Sequence, residues 1–260
     1  MQTVIFHDTV FGPIHSRRLG ASLGINLMPN DGKICSFDCV YCEAGFNAQG
    51  QGTTGVSTRQ EVHNLLNAKL KSMKENGEPL DVITFSGNGE PTLHPQFKDI
   101  VHDVLLLRNK YYPNVKVSVL SNATMLGNPK VVAALKTVDN NILKLDSAIS
   151  STMRLINQPK ATTFQSEGVI EDLKQFSGEC IVQTLLLRGT HNGRHFDNTT
   201  DEEINALIDA YRQIKPREVM IYTIDRATPE KDIEKLGKEE MLAIGKRIEA
   251  ASGVKVQVNV

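Results

Sequence analysis

The chain of 260 residues has no surplus of either charge, no long hydrophobic run and few cysteines, and each shortage removes a class of protein. Its 29 basic against 30 acidic residues leave a formal net charge of −1. That balance gives no global attraction to nucleic acid or an anionic membrane, although it is compatible with a local basic patch. The longest uninterrupted apolar run is Val131 to Leu135, far short of the roughly 20 residues that span a bilayer. Met1 to Arg18 has no apolar segment behind a basic start, so no secretory signal and a cytoplasmic location are expected. Composition is otherwise ordinary, with 40% hydrophobic residues, 23% charged residues and 19 glycines. Such a mixture excludes a disordered tail, a collagen and a coiled coil. At about 100–200 residues per domain, this length fits one large domain or two small ones, with a core that needs no disulfides.

Cysteine is scarce but clustered. Of four, Cys35, Cys39 and Cys42 fall within eight residues, spaced C-x3-C-x2-C. In a chain with no export signal, such crowding points to metal ligation rather than disulfides. Thiolates select soft metals: zinc, copper(I) or iron–sulfur. Structural zinc takes four closed ligands, so it would need distant Cys180 or a histidine. An iron–sulfur cubane is normally held by four thiolates. Three leave one iron open, which is useful only if something else binds there. Both alternatives stand at this point.

What the chain has in regular supply is alternation. Short β-branched runs at Leu23–Leu27, Val82–Phe85, Val115–Leu120, Ile142–Asp146, Ile181–Leu187, Val219–Ile224 and Val254–Val258 are separated by stretches of helical periodicity. One such stretch carries Val62, Leu65, Leu66, Leu70 and Met73, opened by Ser57 and Gln60 as a capping box. Others centre on Ile100, Val131, Val169, Ile204 and Met241. Strand–helix alternation predicts a parallel sheet with crossover helices. Six to seven strands fit an open doubly wound sheet or a barrel of βα units, and in both the loops at the C-terminal strand ends carry the chemistry.

Several candidates fall on that face. The segment KICSFDCVYCEAG follows the first strand and precedes the first long helix. Strand Val82–Phe85 runs into Ser86-Gly87-Asn88-Gly89-Glu90-Pro91-Thr92, where two glycines permit close approach of backbone to a ligand and Pro91 stops the strand. Taken alone, that sequence is a tight turn. Period-2 logic in Ile142–Asp146 puts Lys144 and Asp146 on one face and Leu143 and Leu145 on the other, so Asp146 is expected in the mouth of a barrel. Gln183, between Val182 and Leu185, points inward or bonds a neighbouring strand. Arg17 and Arg18 suit an anion, either on a cofactor or on a substrate, or form a solvated turn. Gly45 to Gly55 is a lid or an excursion. His191, Arg194 and His195 follow a strand on the catalytic face and are substrate-side candidates.

CSFDCVYC, with Tyr41 directly before its last cysteine, resembles the signature of the radical S-adenosylmethionine (radical SAM) superfamily. The resemblance implies an α/β fold, a partial (βα)6-type TIM-like barrel with parallel strands. It also implies one domain over 1–260 with a core of about 20–226 and a C-terminal helix and strand extension. It implies one 4Fe–4S cluster on Cys35, Cys39 and Cys42, whose open iron is chelated by the amino and carboxylate groups of SAM. Reductive cleavage then gives a 5′-deoxyadenosyl radical that abstracts hydrogen from an unidentified substrate, and the cofactors carry the difficult chemistry.

By the same resemblance, Tyr41, Gly87, Asn88, Gly89 and Glu90 receive SAM, with Glu90 matched to its ammonium. The usual Gly-Gly-Glu is interrupted here by Asn88. Ser121, Asn122 and Gln183 offer further polar contacts, Asp146 contacts the ribose or carboxylate, and Thr223 and Ile224 cradle adenine. No catalytic side chain is singled out. Phe11-Gly12-Pro13, Ser16-Arg17-Arg18-Leu19-Gly20, SGNGEPTLHP and IYTIDR resemble the branch containing the wyosine-base-forming enzymes of tRNA modification. Those enzymes carry a second cysteine triad upstream; no cysteine precedes Cys35, and Cys180 alone cannot hold an auxiliary cluster. Implied partners are SAM, an electron donor such as flavodoxin or ferredoxin, and a substrate that is a small molecule, peptide, protein or RNA. The alternatives are an activating enzyme that installs a glycyl radical on a partner protein, an RNA-modifying enzyme, and a zinc-stabilised or electron-transfer module.

Overall fold

The structure, a computed structural model, describes residues 4–16 and 18–260. The chain opens with a hairpin, β1 (Val10–Ser16) and β2 (Gly20–Ile25), and a long loop leads to α1 (Arg59–Glu75). Then follow β3 (Val82–Phe85), α2 (Phe97–Tyr111), β4 (Lys116–Ser121), α3 (Pro129–Leu135) and β5 (Asn140–Lys144). Two short helices, α4 (Ser150–Asn157) and α5 (Ser166–Lys174), precede β6 (Ile181–Leu185), β7 (Leu187–His191) and β8 (Arg194–Asp197). The last part is α6 (Asp201–Ile214), β9 (Glu218–Tyr222), β10 (Ile233–Lys235), α7 (Lys238–Ser252) and β11 (Val256–Asn259).

One curled sheet of eight strands runs β1-β2-β3-β4-β5-β6-β9-β11. Every pairing from β2 to β11 is parallel, and only β1 is antiparallel to its neighbour. The parallel sheet is the one expected from strand–helix alternation, and its curling into a partial barrel is what the resemblance implies. Its outer face carries Ile83, Phe85, Val117, Val119, Leu143 and Val182 into one core with the apolar stripes of the helices. Its concave face is polar through Ser22, Thr84 and Ser118, with a small apolar plug of Ile142, Ile181 and Met220 packed by Leu19 and Leu120. No helix among the described residues is long and apolar enough to cross a membrane.

Three local expectations are corrected. The capping box of α1 is Thr58 with Glu61: the Thr58 hydroxyl accepts from the Glu61 amide at 3.2 Å, and Glu61 Oε2 accepts from the Thr58 amide at 3.4 Å. Ser57 bonds Thr9 instead, at 2.8 Å. The apolar run Ile181–Leu187 is two strands, because side chains capture the backbone at its break. Asp146 Oδ1 accepts from the Leu185 amide at 2.9 Å, while Asn198 accepts from the Leu187 amide at 2.8 Å and donates to the Leu185 carbonyl at 2.7 Å. β7 therefore leaves the barrel and joins a small sheet in the order β10-β7-β8. Finally, β1 is an added strand that the run-by-run reading does not include.

Candidate active site

The C-terminal ends of the parallel strands surround a cavity of about 320 Å³, a size ordinary for small-ligand sites. Cys35, Cys39 and Cys42 all border it, as do Gly87, Gly89 and Glu90 of the glycine-rich turn.

The cysteine loop is built from beneath by a lysine. Lys33 is 1% exposed, and its Nζ donates to the Gly45 carbonyl at 2.8 Å and to Asp38 Oδ1 at 3.1 Å. Burial works against that ammonium, but the three cysteines and Asp38 around it outweigh the penalty and raise its pKa. Asn47 ties the loop further, accepting from the Cys35 amide at 3.1 Å and donating to the Phe37 carbonyl at 3.0 Å. On the far side the loop pairs with the end of α4, Val40 donating to the Ile156 carbonyl at 3.0 Å. Two asparagines donate to sulfur: Asn122 to Cys35 Sγ and Asn157 to Cys39 Sγ, each at 3.5 Å.

Burial, followed by the nearby Glu90 carboxylate, pushes the Cys35 thiol up to about 12, and burial pushes Cys39 up to about 11. Such thiols stay protonated unless a cationic centre stabilises their thiolates, which is what a metal or iron–sulfur group does. Among the described residues, no three His, Cys, Asp or Glu side chains converge on a point where one metal ion would sit. Cys180 lies in the sheet–helix core and is absent from the cavity wall.

The glycine-rich turn is stitched to this loop by backbone. Ile34 donates to the Asn88 carbonyl at 3.0 Å, and Glu90 donates back to the Ile34 carbonyl at 3.2 Å. Gly87 and Gly89 each have φ of +146°, where a β-carbon would collide with Asn26 and with the Ile34 backbone respectively. The close approach expected of these glycines is thus, in the first place, to the chain itself. Asn88 is fully buried and does not border the cavity, accepting from the Phe6 amide at 2.9 Å and donating to the carbonyls of Phe6 and Pro29, both at 2.8 Å. Glu90 is buried and holds neighbouring segments together. Its Oε1 accepts from the Thr92 amide at 3.1 Å and hydroxyl at 2.5 Å and from Ser121 at 2.9 Å, and its Oε2 accepts from the Asn122 amide at 2.6 Å. Burial nevertheless leaves its pKa above the ordinary value.

Asp146 shares the inner face of the sheet with Lys144, as alternation predicts, but does not itself border the cavity. It lies beyond the last residue of β5, fully buried, and accepts from Tyr41 Oη and from Asn157 Nδ2, the latter at 2.6 Å. Lys144, two residues earlier, borders the cavity in its place. Its Nζ donates to Tyr41 Oη at 2.5 Å and stands 3.4 Å from Asp146 and 3.5 Å from Tyr222 Oη. Burial alone would lower the Lys144 pKa; Asp146, then Tyr222 and Cys39, outweigh it and hold the ammonium charged. Strand periodicity pointed to Lys144, whereas nothing in the sequence singled out Asn157 or Lys33.

The remaining candidates separate cleanly. Ser121, Asn122, Gln183, Thr223 and Ile224 border the cavity, and so does Arg18, while Arg17 lies outside the described residues. Thr223 also accepts from the Leu236 amide at 3.0 Å. His191, Arg194 and His195 do not border it: His191 pairs with Glu230 at 2.6 Å, and the other two are exposed on β8. The 45–55 loop is pinned through Lys33, which donates its amide to the Gly50 carbonyl at 2.8 Å, and through Asp31, which takes the Thr53 and Thr54 amides.

Residues 30–194, which include the cysteine loop and the glycine-rich turn, match the family model described as "Radical SAM superfamily". The chain belongs to that superfamily. Radical SAM enzymes work with a 4Fe–4S cluster and SAM, and three thiols bordering one open cavity, Cys39 buried and Cys35 and Cys42 half-buried, fit that pair. The chain is similar to the UPF0026 protein of Synechocystis sp., 31% identical over 246 residues, covering 92% of this chain and 84% of that one. It is also similar to a Brachyspira hyodysenteriae protein named GTPase Obg, 31% identical over 252 residues, but it spans only 35% of that protein's length. No G-x4-G-K-S/T phosphate loop occurs in this radical SAM sequence. Among solved structures, a radical SAM methyltransferase from Sphaerobacter thermophilus has a TM-score of 0.67 at 15% identity, covering 92% of this chain and 65% of that one. The structure of TYW1 with a lysine–pyruvate adduct bound has a TM-score of 0.62 at 15% identity, covering 92% and 76%. At such identities the likeness is one of fold.

Proposed function

We propose that this chain is a single-cluster radical SAM enzyme that generates a 5′-deoxyadenosyl radical for hydrogen abstraction. The observation that carries the reading is that the three thiols, the glycine-rich turn and the inward side chains of β5, β6 and β9 border one cavity. Bound there, a 4Fe–4S cluster supplies the electron that splits the sulfonium of SAM into methionine and the 5′-deoxyadenosyl radical, which takes a hydrogen atom from the substrate.

The chain's own residues hold and shield that chemistry. Cys35, Cys39 and Cys42 give up their protons to ligate iron, and the Lys33 ammonium offsets the thiolate charge from below. The 87–90 backbone receives the SAM ammonium, helped by Glu90 Oε2, which accepts one hydrogen bond from the described residues. Ser121, Asn122 and Gln183 line the polar wall, and Thr223 and Ile224 lie where adenine rests. Asp146 is a positioning residue in this scheme, acting through Tyr41 and Lys144. Residues 1–260 work as one cytoplasmic unit, reduced by a flavodoxin- or ferredoxin-type donor.

The test is anaerobic reconstitution followed by iron and sulfide analysis and EPR of the dithionite-reduced protein with and without SAM. A cluster signal that changes with SAM, together with 5′-deoxyadenosine release abolished by Cys39→Ala, is the expected result. A signal indifferent to SAM, or stoichiometric zinc in place of iron, overturns the proposal.

A further inference from the structure

Among the described residues four cations border the cavity, and three of them are already neutralised. Lys33 pairs with Asp38 at 3.1 Å, Lys144 with Asp146 at 3.4 Å, and Arg226 with Glu43 at 2.7 Å. The fourth, Arg18, forms no ion pair with any described residue. Its Nη1 donates to Gln183 Oε1 at 3.1 Å, and its guanidinium carbon sits 4.6 Å from the centroid of the Tyr222 ring. Its Nε and Nη2 make no hydrogen bond to the described residues. The carboxylates that share the cavity are not free to turn to it: Glu43 holds Arg226, Glu90 accepts four hydrogen bonds, and Asp225 faces Lys235 at 3.8 Å.

The position of Arg18 is as informative as its lack of an ion pair with the described residues. It belongs to the turn between β1 and β2, below the barrel, and also borders a second cavity at the N-terminal strand ends beside Val82, Lys116 and Ile181. It therefore reaches into the upper cavity from the side opposite the cysteine loop. The Tyr222 ring face and the bond to Gln183 hold the guanidinium in place, so its free edge is available for two parallel hydrogen bonds. An unpaired, oriented guanidinium in a half-buried site gains most from an oxyanion that matches its fork.

We propose that Arg18 is the recognition site for a carboxylate on a small-molecule substrate of this enzyme. Among the described residues Arg18 is the one cavity cation without an ion pair, and one such cation matches a single negative charge, which selects a monocarboxylate over a phosphate dianion. Given the proposed SAM chemistry, the carboxylate of SAM stays at the cysteine end, so the substrate enters between it and Arg18. Gln183 and Tyr222 are positioning residues that hold the guanidinium.

The test uses cluster-reconstituted protein loaded with SAM, with propionate as the probe, propionamide as its neutral counterpart and inorganic phosphate as the rival anion. Binding is read anaerobically by calorimetry. Propionate binds the wild type, propionamide does not, and phosphate binds more weakly than propionate. Arg18→Gln lowers propionate affinity by about tenfold or more, the scale of a hydrogen bond to a charged group, and Arg18→Lys restores part of it. Should Arg18→Gln fail to fold, Gln183→Leu, which releases the guanidinium, is expected to weaken propionate binding by a smaller factor. Equal binding of propionate by the wild type and these variants, equal binding of propionamide, or tighter binding of phosphate overturns the proposal. So does a loss of SAM affinity in Arg18→Gln, which would assign the guanidinium to the carboxylate of SAM. If the wild-type cluster signal ignores SAM, the SAM chemistry fails, and propionate binding to the cluster-loaded protein without SAM still decides the role of Arg18.

Discussion

Gly89 lies against the Ile34 carbonyl so closely that a β-carbon on it would fall well inside van der Waals contact with that oxygen. The same glycine has φ of +146°, which L side chains rarely adopt. Gly89→Ala must therefore both strain the turn and push the cysteine loop away, at a cost of about 2–4 kcal/mol. Urea unfolding of the variant should show that loss, and iron incorporation should fall with it. Gly127→Ala, where no atom lies within 4 Å of the new carbon, should stay near the wild-type value.

The contrast between these two glycines shows what the sequence could and could not tell. The parallel sheet was legible because β-branched runs alternate with helical stretches, its curling into a half-barrel only through the resemblance, and the cysteine site was legible because three thiols share one short loop. The importance of the glycine-rich turn was also visible, but not its immediate partner, since Ile34 is an unremarkable residue more than fifty positions away. For Asp146, alternation held, since Leu143 and Leu145 share the outer core and Asp146 shares the inner face with Lys144, but Tyr41 and Asn157, which cover its carboxylate, lie about a hundred positions before it and on the following helix. Lys33 was invisible, because an isolated loop lysine is ordinarily solvated. The split of Ile181–Leu187 was hidden for a similar reason, since the side chains that capture the backbone there lie outside the run, Asp146 39 positions before Leu185 and Asn198 11 positions after Leu187.

Asn122 and Asn157 donate hydrogen bonds to Cys35 Sγ and Cys39 Sγ. Hydrogen bonds to cluster sulfur stabilise the more negative, reduced state and so raise the reduction potential. Removing either donor, in Asn122→Ala or Asn157→Ala, should make the potential of the proposed cluster more negative, and removing both should shift it further. An EPR-monitored redox titration checks this. A shift in the positive direction would show that solvent entering the site matters more than the lost bond.

His94 offers a pH dependence. Burial lowers its pKa, its Nε2 donates to the Ser57 carbonyl at 2.7 Å, and its Nδ1 accepts from the Gln96 amide at 3.1 Å. The folded protein therefore holds the neutral ring, while the unfolded chain takes up a proton at about pH 6.5. Between those two values the unfolded state binds more protons, so stability falls as pH drops below about 6.5 and is insensitive to this group above it. Stability measured against pH should have a shallower acid limb in His94→Gln than in the wild type. The difference in slope cannot exceed one proton, or about 1.4 kcal/mol per pH unit.

The Lys144–Asp146 pair tests whether Asp146 supports the site through its neighbours. Asp146→Asn removes the charge that balances Lys144 and forces an amide against Tyr41, Asn157 and the Leu185 amide, all of which donate to the carboxylate. Breaking a buried pair from one side costs about 3–5 kcal/mol, because the surviving charge is left without compensation. Lys144→Met alone leaves Asp146 with its three other donors and should cost less. The double variant removes both charges, so its loss should fall short of the sum of the two single losses by about 1–3 kcal/mol. Chemical denaturation of the four proteins gives this coupling directly. Additive losses would mean that Asp146 serves the backbone of Leu185 and the Asn157 amide, with Lys144 held at the cavity by Tyr41 and Tyr222 instead.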